Sequence, residues 1–217
     1  RQRQMCIRDR YYTRFILGQW AAAEGIIYRP FADSIASNDN RFLWPAEREL
    51  RPFRVYIGVD FGGNGSQHAF VATGVLPGYR GVVALCSERI AAKGTDVVFL
   101  QKRFVQFVEA VFIRWGEIHA VFCDSAEQVL KNSLRAALLP TRFRWLAERV
   151  YNAKKIEIND RIRTTAALMG GGRFWYMPEA GSVRDALSTA LWSGKHPGKD
   201  ERLDDCLLYT SPSPRDA

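Results

Sequence analysis

Short apolar runs separated by turn residues occupy the first half of the chain. β-Branched and other apolar residues predict strands over 54–60, 68–76 and 81–90. The breaks between these strands, Gly62–Gly65 and Pro77–Gly78, suit tight antiparallel connections. Three consecutive antiparallel strands are therefore expected.

The apolar spacing then changes to three and four residues, which predicts an amphipathic helix from Thr95 to Trp115, capped by Thr95 or Asp96. The run IHAVFC (118–123) follows, and its uninterrupted apolar character is typical of a central buried strand. A further helix is expected over 125–139, with Ser125 as its cap.

Shorter elements complete the pattern. We expect a strand at 150–153, a helix at 158–169, a short strand or extended piece at 173–177, and a helix at 182–192. Residues 11–30 have helical apolar spacing, and residues 31–52 form a connector rich in proline, asparagine and charge. The order predicts an α/β fold of the ribonuclease H-like type: a mixed five-stranded sheet, three strands antiparallel and two added in parallel through helical crossovers.

Two predicted strands end in a carboxylate. Asp60 ends the first strand and Asp124 follows the fourth, and these strand ends are neighbours in the expected sheet. Two ionised carboxylates that close together require a cation. Two Mg²⁺ or Mn²⁺ ions held by aspartates can bind a phosphate and lower the pKa of an attacking water. A lone aspartate after a strand is more often a turn or helix cap, so the argument depends on the pair.

Further carboxylates could complete a metal site. Asp204, in the late acidic cluster DERLDD, is the candidate third ligand. Asp205 is a substitute for it, and Glu127 a candidate outer ligand.

Four sequence blocks resemble the nuclease half of the large terminase subunits of tailed bacteriophages, over residues 11–205. They are GVDFGGNGSQHAFVATG, AVFCDSAEQ, NAKKIEINDRIRTTAALMGGGRF and DERLDD. The resemblance implies a metal-dependent endonuclease that cuts double-stranded DNA concatemers during genome packaging, with Asp60, Asp124 and Asp204 as its acidic triad. It also implies the small terminase subunit and the portal as partners, and the cytoplasm of the infected bacterium as the location. This chain departs from the family at Gln128, where proline is frequent, and at Asp205, where a small residue is usual.

Both ends of the chain match translations of a sequencing adapter. We therefore expect residues 1–10 and 206–217 to be adapter read-through, 11–52 to be a linker from a missing ATPase domain, and 53–205 to be the nuclease domain. Without the two ends the net charge falls from +8 to +5, because the first ten residues hold four Arg and one Asp and the last twelve one of each. The remaining cysteines, Cys86 and Cys123, lie in predicted strands, as expected of small buried residues in a reducing compartment.

Basic residues interleaved with aromatic ones lie between the second and third helices of the predicted nuclease domain and continue into the third. Such clusters suit sequence-independent contacts to DNA phosphates, although any one of them could equally be part of a solvated face. The candidate DNA-binding residues are Arg142, Arg144, Arg149, Lys154, Lys155, Arg161 and Arg163.

Two other functions remain open. GVDFGGNGS also resembles the first phosphate loop of actin-like ATPases and sugar kinases, although GGGRF lacks the acid expected of a second such loop. A non-catalytic DNA-binding fragment is the third possibility. The sequence contains no GxxxxGK[ST] loop and no zinc-type histidine or cysteine spacing. It also lacks the run of about 18 apolar residues that a membrane-spanning helix needs.

Overall fold

Residues 25–63 and 66–192 are described in the computed structural model of the chain. Its strands are β1 (Arg54–Asp60), β2 (Gln67–Val75), β3 (Val82–Ala91), β4 (Ile118–Cys123), β5 (Val150–Asn152) and β6 (Phe174–Tyr176). Its helices are α1 (Arg29–Ser37), α2 (Val97–Trp115), α3 (Gln128–Leu138), α4 (Ile158–Gly170) and α5 (Gly181–Thr189). Short 3₁₀ turns cover Pro77–Tyr79 and Arg144–Arg149.

The strands form one mixed sheet, in the order β5-β4-β1-β2-β3-β6 within the described residues. Strands β1, β2 and β3 are antiparallel, whereas β4 is parallel to β1 and β5 is parallel to β4. The ribonuclease H-like arrangement predicted from the sequence is thus confirmed. The expected count of five strands is wrong, because β6 adds a sixth strand parallel to the start of β3.

One face of the sheet packs on α2 and α3. Val55, Ile57 and Val59 alternate along β1 and enter this core, as period-two patterning requires. The rings of Phe104 and Phe107 on α2 lie 5.6 and 5.7 Å from the ring of Phe70 on β2. These buried contacts fix α2 against the centre of the sheet.

The opposite core brings together residues of α1, α4, α5 and the β2–β3–β6 side of the sheet. Phe31 of α1 is completely buried, and its ring lies 5.1 Å from Phe42 and 5.6 Å from Tyr176. Part of the stretch predicted as a connector is therefore a helix packed on the sheet. The assignment of 11–52 to an inter-domain linker stays a prediction.

Among the helices predicted from the sequence, only α3 starts more than two residues from its expected position. Asp96 caps α2 as expected, since its carboxylate accepts a hydrogen bond from the Phe99 amide at 2.7 Å. Ser125 was predicted to cap the next helix, but α3 begins at Gln128, with Glu127 in the cap position and no side-chain cap. The three residues after Asp124 are therefore a loop, which separates that carboxylate from the helix.

Candidate active site

Asp60 and Asp124 lie at the carboxyl ends of two neighbouring strands, β1 and β4, and so at the same end of the sheet. In the parallel pairing of β1 with β4, Val59 is opposite Cys123, and each aspartate is the next residue. The Asp124 amide donates to the Val59 carbonyl at 3.1 Å, which extends the ladder to this position. Adjacent strands lie about 4.8 Å apart, so the two backbones are held side by side. The structure therefore brings together two of the three carboxylates expected at the site.

The surroundings of the two carboxylates differ. Asp60 is only 4% exposed, and a buried carboxylate is stable only when charge or hydrogen bonds compensate it. Asp124 is half-buried at the start of its loop, where its Oδ1 accepts a hydrogen bond from the Ala126 amide at 3.2 Å. One carboxylate is thus fixed within the fold, and the other is accessible from solvent.

A glycine turn follows Asp60 directly. A Cβ at Gly62 would lie 2.5 Å from both the carbonyl carbon and the oxygen of Gln67, whereas a Cβ at Gly63 would meet nothing within 4 Å. Only glycine fits at the first position, because the turn packs on the backbone that opens β2. Gly63 leaves its side of the turn open for a ligand to approach.

A cavity of about 210 Å³ adjoins this turn. It is lined by residues of the turn, of the start of β2, of the α2 N-terminus and of α3, among them Gly62, Gly63, His68, Thr95, Asp96 and Leu130. His68 is only 5% exposed, and its Nδ1 has no hydrogen-bond partner among the described residues. Burial lowers the pKa of this imidazole, which favours its neutral form.

The other predicted ligands are not brought to Asp60 and Asp124 in the described residues. Asp204 and Asp205 lie outside the described ranges, and Glu127 is exposed at the N-cap position of α3. Within 25–63 and 66–192, no group of three or more His, Cys, Asp or Glu side chains could hold a metal ion. The oxygen ligands of Asp60 and Asp124 are nevertheless of the type that Mg²⁺ and Mn²⁺ prefer. These two side chains fit part of a divalent-metal site.

Two of the predicted DNA-binding arginines are engaged within the protein. Arg142 pairs with Glu109 of α2 at 2.9 Å, and its guanidinium lies over the Phe143 ring. Arg149 pairs with Glu117 at 2.6 Å. These contacts hold the segment after α3 against α2 and the residues that follow α2. They also neutralise the charge of two arginines that were predicted to bind DNA.

The other five predicted cations include two arginines of α4 that also have partners within the protein. Arg163 pairs with Asp160 at 3.2 Å, and Arg161 donates from Nε to the Ile156 carbonyl at 2.7 Å. Arg144, Lys154 and Lys155 are exposed. A role in DNA binding stays a prediction for all seven.

Lys131 and Asn152, which are not among the residues predicted from the sequence, meet next to the strand end that carries Asp124. The Lys131 ammonium donates to Asn152 Oδ1 at 2.6 Å, and Asn152 is opposite Cys123 in the β4–β5 pairing. One signal could have pointed to them: Asn152, like Asp60 and Asp124, is a polar residue at the carboxyl end of a strand.

Two thiols lie in the described strands, as predicted. Cys123 is fully buried and Cys86 is partly buried, and both are free. Burial raises the pKa of each thiol to about 12, which leaves both neutral and unreactive. No helix in the described part of the chain has the length and apolarity needed to cross a bilayer.

Comparison with solved structures identifies the fold. The large terminase of a thermophilic bacteriophage has a TM-score of 0.58 and 21% identity, over 90% of this chain and 44% of the other. The nuclease domain of the bacteriophage SPP1 large terminase, with bound Mn, has a TM-score of 0.52 and 15% identity, over 72% and 84%. The P22 large terminase nuclease domain has a TM-score of 0.53 and 16% identity, over 78% and 89%.

The chain thus has the ribonuclease H-like fold of phage large terminase nuclease domains, and it spans less than half the length of the thermophilic phage terminase. No protein-family model matches the sequence, and the comparison with curated proteins found no match.

Proposed function

We propose that this chain contains the nuclease domain of a phage large terminase subunit, a divalent-metal-dependent endonuclease that cuts double-stranded DNA concatemers during genome packaging. The observation that carries the proposal is the position of Asp60 and Asp124, side by side at one sheet edge of a fold shared with terminase nuclease domains. Neither feature suffices alone, since one fold hosts many functions and single aspartates often cap turns.

Asp60 and Asp124 would hold the metal, with Asp204, or Asp205 in its place, as the third carboxylate. The bound Mn of the SPP1 nuclease domain supports Mn²⁺ or Mg²⁺ as the ion. A divalent ion at this position would supply Lewis-acid stabilisation of a phosphodiester and a lowered pKa for the attacking water.

The chain's own residues would position these groups. The β1–β4 ladder fixes the spacing of the two carboxylates, and the Asp124 amide bound to the Val59 carbonyl holds the second at its strand end. At Gly63, the turn that follows Asp60 leaves backbone uncovered, where a phosphate can approach closely. In the complete parent protein, the small terminase subunit and the portal are the proposed partners, in the cytoplasm of the infected bacterium.

Plasmid cleavage tests the proposal. We expect the purified chain to nick or linearise supercoiled plasmid with Mn²⁺ or Mg²⁺, and to lose this activity with EDTA and in Asp60→Asn and Asp124→Asn. These substitutions keep side-chain size and remove charge. Asp185→Asn is the matched control, because Asp185 is exposed on α5 and pairs only with its neighbour Arg184 at 2.8 Å among the described residues.

The outcomes separate the three functions. Cleavage that persists in a folded Asp60→Asn variant would overturn the proposed site. Thermal stabilisation by nucleotide without cleavage would indicate the kinase-like function. DNA binding without cleavage and without a nucleotide effect would indicate a non-catalytic binding fragment.

A further inference from the structure

Lys131 is held in place on the second turn of α3. Its ammonium donates to Asn152 Oδ1 at 2.6 Å, and Gln128 Nε2 donates to the same oxygen at 3.1 Å. Gln128 also donates to the Ser125 carbonyl at 2.6 Å, in the loop that follows Asp124. Asn152 is therefore bound by two donors from α3, and Lys131 is half-buried beside it.

Lys131 and Asn152 lie at the same end of the sheet as the carboxylates of Asp60 and Asp124. Val59 pairs with Cys123, and Cys123 pairs with Asn152, so the ends of β1, β4 and β5 are level. Val59 and Asn152, at the two ends of this row, are therefore separated by two strand spacings of about 4.8 Å each.

The charge of Lys131 is not neutralised within the described residues. Its hydrogen-bond partner there is a neutral amide oxygen, and it forms no ion pair with a carboxylate in that part of the chain. By contrast, Arg142 and Arg149 are paired with glutamates. An ammonium has three donors, so two remain for a ligand after the bond to Asn152.

A structural role alone does not require this cation. Gln128 already joins α3 to Asn152 through a neutral hydrogen bond, and a second neutral donor would serve equally well. A DNA-cleaving site gives this charge a role, because DNA is a polyanion and a cation beside the strand ends attracts its phosphate backbone.

We propose that Lys131, positioned by Asn152, binds a backbone phosphate of the DNA strand that lies across the edge of Asp60 and Asp124. The inference rests on the proposed function for the identity of the ligand, duplex DNA. A single ammonium contact to phosphate carries no sequence information, so it would contribute affinity and register at every sequence.

Salt-dependent binding tests this proposal independently of cleavage. Binding of the full chain to a fluorescent duplex is measured by anisotropy in Ca²⁺ at several salt concentrations. In Lys131→Met we expect the slope of log K against log [salt] to shrink by about 0.9 and the affinity to fall about 3- to 10-fold, as the loss of one phosphate contact predicts. Lys131→Arg retains the positive charge, so we expect it to keep most of the salt slope and most of the affinity.

Arg135→Met is the matched control. Arg135 is exposed and lies one turn further along α3. Its replacement by Met removes one positive charge, as Lys131→Met does. Asn152→Asp provides a second variant, because a carboxylate at this position would pair with Lys131 and should weaken DNA binding although Lys131 itself is unchanged.

The results distinguish this inference from the proposed function. An unchanged slope in a folded Lys131→Met variant, or an equal change in Arg135→Met, overturns the role of Lys131 even if plasmid cleavage depends on Asp60. A reduced slope in a chain that never cleaves supports Lys131 as a DNA contact and refutes the nuclease. A chain that does not bind DNA refutes both.

Discussion

Replacing Gly62 with alanine tests whether the turn after Asp60 is fixed by backbone packing. The added Cβ would lie 2.5 Å from the Gln67 carbonyl carbon and oxygen, and 2.7 Å from its nitrogen. These are backbone atoms, so no side-chain rotation can relieve the overlap. The turn or the start of β2 must shift instead.

The expected cost follows from two opposing terms. Overpacking typically costs about 1–3 kcal/mol, whereas alanine gains about 0.4–1 kcal/mol by restricting the unfolded chain. We therefore expect Gly62→Ala to lower the free energy of unfolding by about 1–2 kcal/mol. For a chain of this size that corresponds to a Tm decrease of roughly 2–8 °C. Plasmid cleavage should fall as well, because Gly62 is two residues from Asp60.

Gly63→Ala is the matched control. Its Cβ would meet nothing within 4 Å, and neither glycine has a left-handed φ. This variant should therefore be neutral or more stable by up to about 1 kcal/mol. Urea unfolding followed by circular dichroism measures both variants. Equal stabilities would refute the packing argument.

Two further predictions concern the core and the buried histidine. Phe104→Ala should lower the free energy of unfolding, measured by urea titration, by about 3–5 kcal/mol, because this ring is fully buried against Phe70. Ile113 is exposed on the same helix, so Ile113→Ala should change this free energy by less than about 0.5 kcal/mol. Burial lowers the pKa of His68 in the folded state, so the unfolded chain binds its proton first and stability should fall as pH drops below 6.5. His68→Phe should reduce this fall between pH 7 and 5 in unfolding experiments, and an identical pH profile in the two proteins would contradict the assignment.

The central part of the site could be predicted because strand patterning is a local signal. The run from Val55 to Val59 alternates into a core, and the run before Asp124 is continuously apolar, so both strands and their ends are evident from the sequence. The strand order then places the two aspartates together, since parallel neighbours end at one edge. Asp204 is expected to join them only from its place in a late acidic cluster and from the family resemblance, and it lies outside the described ranges.

Long-range pairing accounts for what the sequence left undecided. The sequence predicts a short strand or extended piece at 173–177, and only the register of β6 with Val82 to Ala84 makes it the sixth strand of the sheet. Likewise, Phe31 is buried by partners more than 140 residues away, Phe174 and Tyr176. A sequence window around either segment contains no such information, so α1 was interpreted as part of a connector.

The pairing of charges has a consequence for where DNA would lie. Arg142 and Arg149 lie in a segment that also contains aromatic residues, which suggests a nucleic-acid surface, but in the fold they pair with Glu109 of α2 and with Glu117, just after α2. The net positive charge is therefore less available on that side of the domain. Lys131 and Lys155 form no ion pair within the described residues, and both lie at the end of β5 or next to it. A polyanion is attracted to charge that has not already been neutralised. We therefore expect a bound DNA backbone to lie towards the β5 end of the sheet, one strand away from Asp124.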